Sequence, residues 1–116
     1  MKTWDDWSDL EINQKVAEAL SINFEVISGV VIASVKHGGS NVISISGAVD
    51  YCNSWTDMGP IIDDNDITVG PCTSGRKMAA SYRGGFNDIV FFDNKTCRAA
   101  AIVFLMMNGV SEHGTL

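Results

Sequence analysis

The spacing of apolar residues changes several times along this chain, and each change marks a new element. Leu10, Val16, Ala17 and Leu20 fall on one stripe of a helix, with Glu11, Gln14, Lys15 and Glu18 left to water. Ser8-Asp9-Leu10-Glu11 has the Ser-x-x-Glu form of a capping box, so the helix is expected to start after Ser8 and to end near Leu20. From Phe24 the period shortens. Val30–Lys36 and Asn41–Ser46 flank His37-Gly38-Gly39-Ser40, which reads as a hairpin with Ile32 opposite Ile45 and Ser34 opposite Ile43 on the core face. Ile67-Thr68-Val69 is a short strand, and Lys77–Arg83 with Asn87–Phe92 form a second hairpin around Gly84-Gly85.

Toward the end of the chain the alternation disappears. The residues from Ala99 to Met107 are all apolar and stop at Asn108-Gly109, which predicts a helix closed by a left-handed cap and opened by Asp93-Asn94. That run spans roughly 13–14 Å, less than half of the ~30 Å hydrocarbon core of a bilayer, so a buried central helix is expected rather than a membrane span. The pattern predicts an α+β fold. A short N-terminal helix and the buried apolar C-terminal helix pack on a curved antiparallel β-sheet of four to six strands. A helix with so little polar surface in so small a domain also suggests a homo-oligomer.

Composition narrows the setting more than the fold. At 116 residues the chain is expected to form one domain over 1–116. Eight basic residues against 14 acidic ones give a net charge of −6, which argues against direct nucleic-acid binding and against an anionic membrane surface. Cys52, Cys72 and Cys97 form no Cys-x-x-Cys pair and are read as reduced thiols of a cytoplasmic protein. Met1-Lys2-Thr3-Trp4-Asp5-Asp6-Trp7 carries acids where a signal peptide needs a basic region and an apolar run.

Candidate chemistry concentrates in Asp50–Ile62. Asn, Ser, Asp, Gly and Pro make this stretch a loop by composition, and Tyr51 and Trp55 add two flat rings before Ile61-Ile62 anchors it in the core. As a ligand site it would offer Tyr51 and Trp55 for stacking, Asn53 and Asp57 for hydrogen bonds, Gly59 for close approach and Arg98 as countercharge. Arg98 stands on the first turn of its helix, where a cation opposes the dipole. Asp57, Asp50 or an anionic ligand would explain it, and so would simple solvent exposure.

Other chemistry is not encoded. Asp63-Asp64-Asn65-Asp66 lacks the Gly and Glu of a calcium loop, and His37 and His113 have no partners at ligand spacing, so no metal and no cofactor are expected. No Gly-x-Ser-x-Gly elbow, phosphate loop or dinucleotide fingerprint occurs, which argues against an enzyme. A residual hydrolase reading would use Asp57 and one of the Asp63–Asp66 carboxylates.

Three stretches in the same order carry a family resemblance. Leu10-Glu11-Ile12-Asn13 with Val16–Leu20, Asp50-Tyr51-Cys52-Asn53 with Gly59-Pro60-Ile61-Ile62, and Arg98–Met107 together resemble the NinX family of temperate lambdoid-phage proteins. Members often carry a proline just before the Arg-Ala-Ala helix, where this chain has Asn94-Lys95-Thr96-Cys97, and a tryptophan where it has Met78-Ala79-Ala80. The resemblance implies a nonessential accessory protein in the host cytoplasm and supplies no activity. On the strength of the Tyr51–Ile62 loop, the expected function is a non-enzymatic phage accessory protein that binds a small polar or nucleotide-like ligand. The alternative is an adaptor or inhibitor of a host or phage protein, acting through its acidic N-terminus with Trp4 and Trp7 as anchors.

Overall fold

A computed structural model describes residues 2–36, 43–72, 75–81 and 89–112. A 3-10 turn at Trp4–Asp6 leads into helix α1 (Asp9–Ala19). Strands β1 (Asn23–Ile27), β2 (Val30–Lys36) and β3 (Ile43–Val49) follow, then helix α2 (Trp55–Asp64), strands β4 (Ile67–Pro71), β5 (Lys77–Ser81) and β6 (Ile89–Asp93), and helix α3 (Thr96–Met107). This is the α+β class that the pattern predicts. The strands, however, divide into two antiparallel three-stranded sheets, β1-β2-β3 and β4-β5-β6, rather than one.

Helix α1 starts as its sequence dictates. Glu11 N donates to Ser8 Oγ at 3.1 Å and Ser8 N to Glu11 Oε1 at 3.0 Å, which closes the capping box. Its buried residues are Ile12, Asn13, Val16 and Ala17, so the stripe is rotated from the expected one and Leu10 and Leu20 are only half-buried. At its other end Ile22 N donates to Ala17 O and Ser21 N to Glu18 O, the two bonds of a Schellman cap with Ser21 at φ 58°. Helix α3 ends the same way, through Val110 N to Leu105 O and Gly109 N to Met106 O, with Gly109 at φ 80°. The Asn-Gly stop was legible in the sequence.

The first sheet corrects two details. β1 pairs with β2 through a two-residue turn in which Ser28 and Gly29 both have positive φ, a strand that the apolar pattern did not reveal. Between β2 and β3 the observed pairs are Ser34 with Ile45 and Lys36 with Ile43, and a bulge between Ala33 and Ser34 aligns Ala33 with Gly47. The core face is consequently the one carrying Val31 and Ala33, both buried, rather than the one carrying Ile32. Helix α1 lies against this sheet through β1 and β2. The Gly38-Gly39 and Gly84-Gly85 turns, His37 and His113 lie outside the described residues.

Helix α3 is the centre of the molecule. The second sheet covers one side, and α1 and α2 cover others. Every residue from Cys97 to Leu105 is buried, and Ile102, Val103 and Leu105 have no exposed surface. Burying each of those aliphatic side chains contributes about 1.5–3 kcal/mol, so this helix carries a large share of the folding free energy. Because one chain encloses α3 on its own, its apolar character does not require a second subunit. Trp4 and Trp7 complete the enclosure, each 4% exposed, with ring centroids 4.9 Å apart and Trp7 Nε1 donating to Glu112 O at 2.8 Å.

Candidate functional site

The stretch read as a loop at 50–62 contains a helix. Asp57 N donates to Ser54 Oγ at 3.3 Å, a side-chain cap that opens α2 at Trp55. Pro60 lies inside this helix, beyond the first turn where proline is tolerated without cost. Gly59 immediately precedes it. A Cβ at that position would press on the proline ring, and glycine removes the conflict. A Cβ built on Gly59 meets no other atom within 4 Å, so close approach of a protein neighbour does not explain the glycine.

Arg98 occupies the floor of the region. It is 7% exposed, and every nitrogen of its guanidinium is bonded to the protein itself. Nε donates to Asp93 Oδ2 at 2.9 Å, Nη1 to Asp9 Oδ1 at 2.6 Å, and Nη2 to the carbonyls of Trp4 at 3.1 Å and Trp7 at 2.6 Å. The partners anticipated for it, Asp57 and Asp50, are not its partners. Burial opposes its charge, but the bonds from Asp9 and the charge of Asp93 outweigh burial and raise its pKa further. This explains a cation on the first turn of α3. Two carboxylates and two carbonyls offset the unfavourable helix dipole, and the N-terminal segment is fastened to α3.

A second layer of bonds lies above this knot. Asn13 Nδ2 donates to Asp50 Oδ1 at 3.1 Å, and Asn13 Oδ1 accepts from Cys52 N at 3.2 Å. Asp57 Oδ2 accepts from Asp50 N at 2.9 Å. Asn53 Nδ2 donates to Asp9 Oδ2 at 3.0 Å and to both Asp50 oxygens, while Asn53 Oδ1 accepts from Lys95 Nζ at 2.8 Å. Lys95 Nζ also reaches Asp9 Oδ2 at 2.5 Å. Burial alone would raise the Asp9 carboxyl, but the bonds from Lys95, Asn53 and Arg98 prevail and hold it down at about 2. Among the described residues no buried side-chain polar atom lacks a partner.

Of the six residues expected to form a ligand site, two share an open surface. Asn53 is exposed, and Trp55 keeps 55% of its surface in water at the start of α2. With Cys52, Lys95, Thr96 and Cys97 they line a cavity of about 150 Å³. Tyr51 is buried, with its hydroxyl pushed up by burial and by the Asp57 charge. Asp57 holds the Asp50 amide, Gly59 is inside α2, and Arg98 lies beneath; none of these four lines the cavity.

Lys95, Thr96 and the two acids on Arg98 were missed by the sequence reading. Asp93, which the sequence offers with Asn94 as an N-cap, accepts from Lys95 N at 3.2 Å, but Lys95 is the N-cap residue. Asp9 gave no signal beyond its place in the first turn of α1.

The arrangement is poorly suited to catalysis by its thiols or carboxylates. Burial, helped by the Asp9 charge, pushes Cys52 up to about 12, and burial with Asp50 raises Cys97, so neither supplies a thiolate near neutrality. Asp57 is committed to an amide, and Asp63 and Asp64 sit at the far end of α2, roughly 9 Å along the axis. Among the described residues no group of His, Cys, Asp and Glu is placed to hold a metal ion, and no helix is long and apolar enough to cross a membrane.

A comparison with curated proteins finds no match. The family model described as bacteriophage P22 NinX matches residues 4–108, a span that takes in the Trp4 turn, the Asp9–Asp50–Asn53 layer and all of α3. The chain therefore belongs to the NinX family of phage proteins.

Proposed function

We propose that this phage accessory protein acts in the host cytoplasm as a non-enzymatic binder of a small polar or nucleotide-like ligand, at the rim formed by Asn53, Trp55, Lys95 and Thr96. The observation that carries the reading is Trp55, a large flat ring left 55% exposed beside a polar cavity in a protein that buries its other two tryptophans. At about 150 Å³ the cavity is smaller than the 300–1,000 Å³ of drug-sized sites and admits one head group. The remainder of the ligand would lie on the Trp55 ring. Lys95 gives this rim a half-exposed cation, and the start of α3 has neither an acidic residue nor a side-chain cap in its first turn, which favours a negative head group.

In this reading the other expected site residues act from below. Arg98 and Asp57 fix Asp9 and Asp50, Tyr51 supports the turn, and Gly59 accommodates Pro60 in α2. The adaptor reading draws no support from Trp4 and Trp7, which are both buried and whose backbone carbonyls accept from Arg98.

The test is a thermal-shift screen against nucleotides, cyclic nucleotides and related anions, with Trp55→Ala and Lys95→Met alongside. Ligand at a hundredfold over its Kd adds about 2.7 kcal/mol, a shift of several degrees for a domain of this size. A shift that both substitutions abolish supports the reading. No shift across the panel, or one that survives Trp55→Ala, overturns it.

A further inference from the structure

A second recess lies across the molecule from Trp55, where α1 and α3 both end. Lys15, Glu18 and Ala19 from the last turns of α1, with Asn108 and Val110 from the close of α3, line a cleft of about 430 Å³, within the range of small-molecule sites. The proposed ligand rim uses none of these residues.

Three features define what this cleft would take. Two helix C-termini flank it, both closed by their Schellman bonds, and each contributes the negative end of its helix dipole. The Asn108 amide nitrogen donates to Phe104 O at 2.8 Å, which leaves its amide oxygen without a partner among the described residues. Glu18 adds a carboxylate. On the other side Lys15 Nζ supplies one cation, 3.2 Å from Glu18 Oε2 in an exposed pair three residues apart on α1. A pair of this kind adds little stability and stays open to solvent, so a ligand bearing both charges can lie against it at small cost. Ala19 and Val110 add a short apolar wall that suits a small side chain and excludes a long one.

We infer that this cleft binds a small zwitterion, with an ammonium group at Glu18, Asn108 and the helix ends and a carboxylate at Lys15, the chemistry of a free α-amino acid. The two charges of such a molecule are separated by about the distance that separates Lys15 from Glu18, so one ligand meets both. A molecule with a single charge would meet one residue of the pair and gain nothing from the other.

The test is a titration of the full chain, followed by amide NMR, with L-alanine and L-serine as probes and ethylamine and acetate as single-charge controls. The expected result is saturable movement of the Ala19 and Val110 amides with the amino acids only, and a Kd raised at least tenfold by Glu18→Gln and by Lys15→Met. Both positions are on the surface, so folded variants are expected, and circular dichroism checks this. Trp55→Ala serves as the control that separates this cleft from the proposed rim and leaves the titration unchanged. Failure of both amino acids to bind, binding of ethylamine or acetate as tight as theirs, or binding that survives either variant overturns the proposal.

Discussion

Lys95 and Arg98 lie one turn apart at the start of α3 and both bond Asp9, yet their side chains are 42% and 9% exposed. Arg98 faces inward, where two carboxylates and two carbonyls accept four bonds and engage all three of its nitrogens. Lys95 faces the rim, and among the described residues its ammonium is held by Asp9 and Asn53. The same chemistry therefore serves structure at one position and remains accessible at the other. Depth in the fold decides between them, since an unpaired charge at the buried position would cost far more than one at the rim. The stretch richest in polar and aromatic residues divides along this line into a buried knot and a thin exposed edge.

Breaking the knot should have the largest effect. Arg98→Met leaves Asp93 buried without its cation and removes the Arg98 bond from the Trp7 carbonyl, while Trp4 O keeps Trp7 N as a donor, and it is expected to cost about 3–5 kcal/mol in chemical denaturation. Asn13→Ala removes the bridge between Asp50 and Cys52 N and should cost about 1–3 kcal/mol by the same measurement.

Acid probes the border between the two regions. The Asp9 pKa falls from 3.8 to about 2 on folding, so its contribution is complete above 3.8 and is lost as pH drops through 2. Because the carboxylate is 36% exposed, solvent screening reduces that contribution to roughly 1 kcal/mol. Asp9→Asn should remove it at neutral pH and flatten the loss of stability between about pH 4 and 2. Trp55→Ala should change stability least, by under about 0.5 kcal/mol, while abolishing ligand shifts.

The legible parts of the fold were those with local causes. The Ser8–Glu11 box, the Asn108-Gly109 stop and the apolar run of α3 are each written within a few residues, and each forms as expected. Helix α2 was hidden because Gly59 and Pro60 signal a break, while the cap from Ser54 and the anchors Met58 and Ile61 prevail over them. The division into two sheets depends on where α1 and α3 lie, which no local pattern encodes. The candidate site was half legible for the same reason. Asn53 and Trp55 advertise themselves by type and reach the surface, whereas the role of Arg98 is fixed by Asp9, 89 residues away, and by carbonyls of the N-terminal turn.

Acrylamide quenching of tryptophan fluorescence, comparing the unmodified protein with Trp55→Phe, separates the exposed edge from the buried knot in one experiment. The unmodified protein should be substantially quenched through Trp55, and the signal remaining in Trp55→Phe, from the buried Trp4 and Trp7 whose carbonyls Arg98 holds, should be nearly fully protected. Equal quenching in the two proteins would contradict this, because the N-terminal tryptophans would then be open to solvent and Arg98 would not be the buried fastening described.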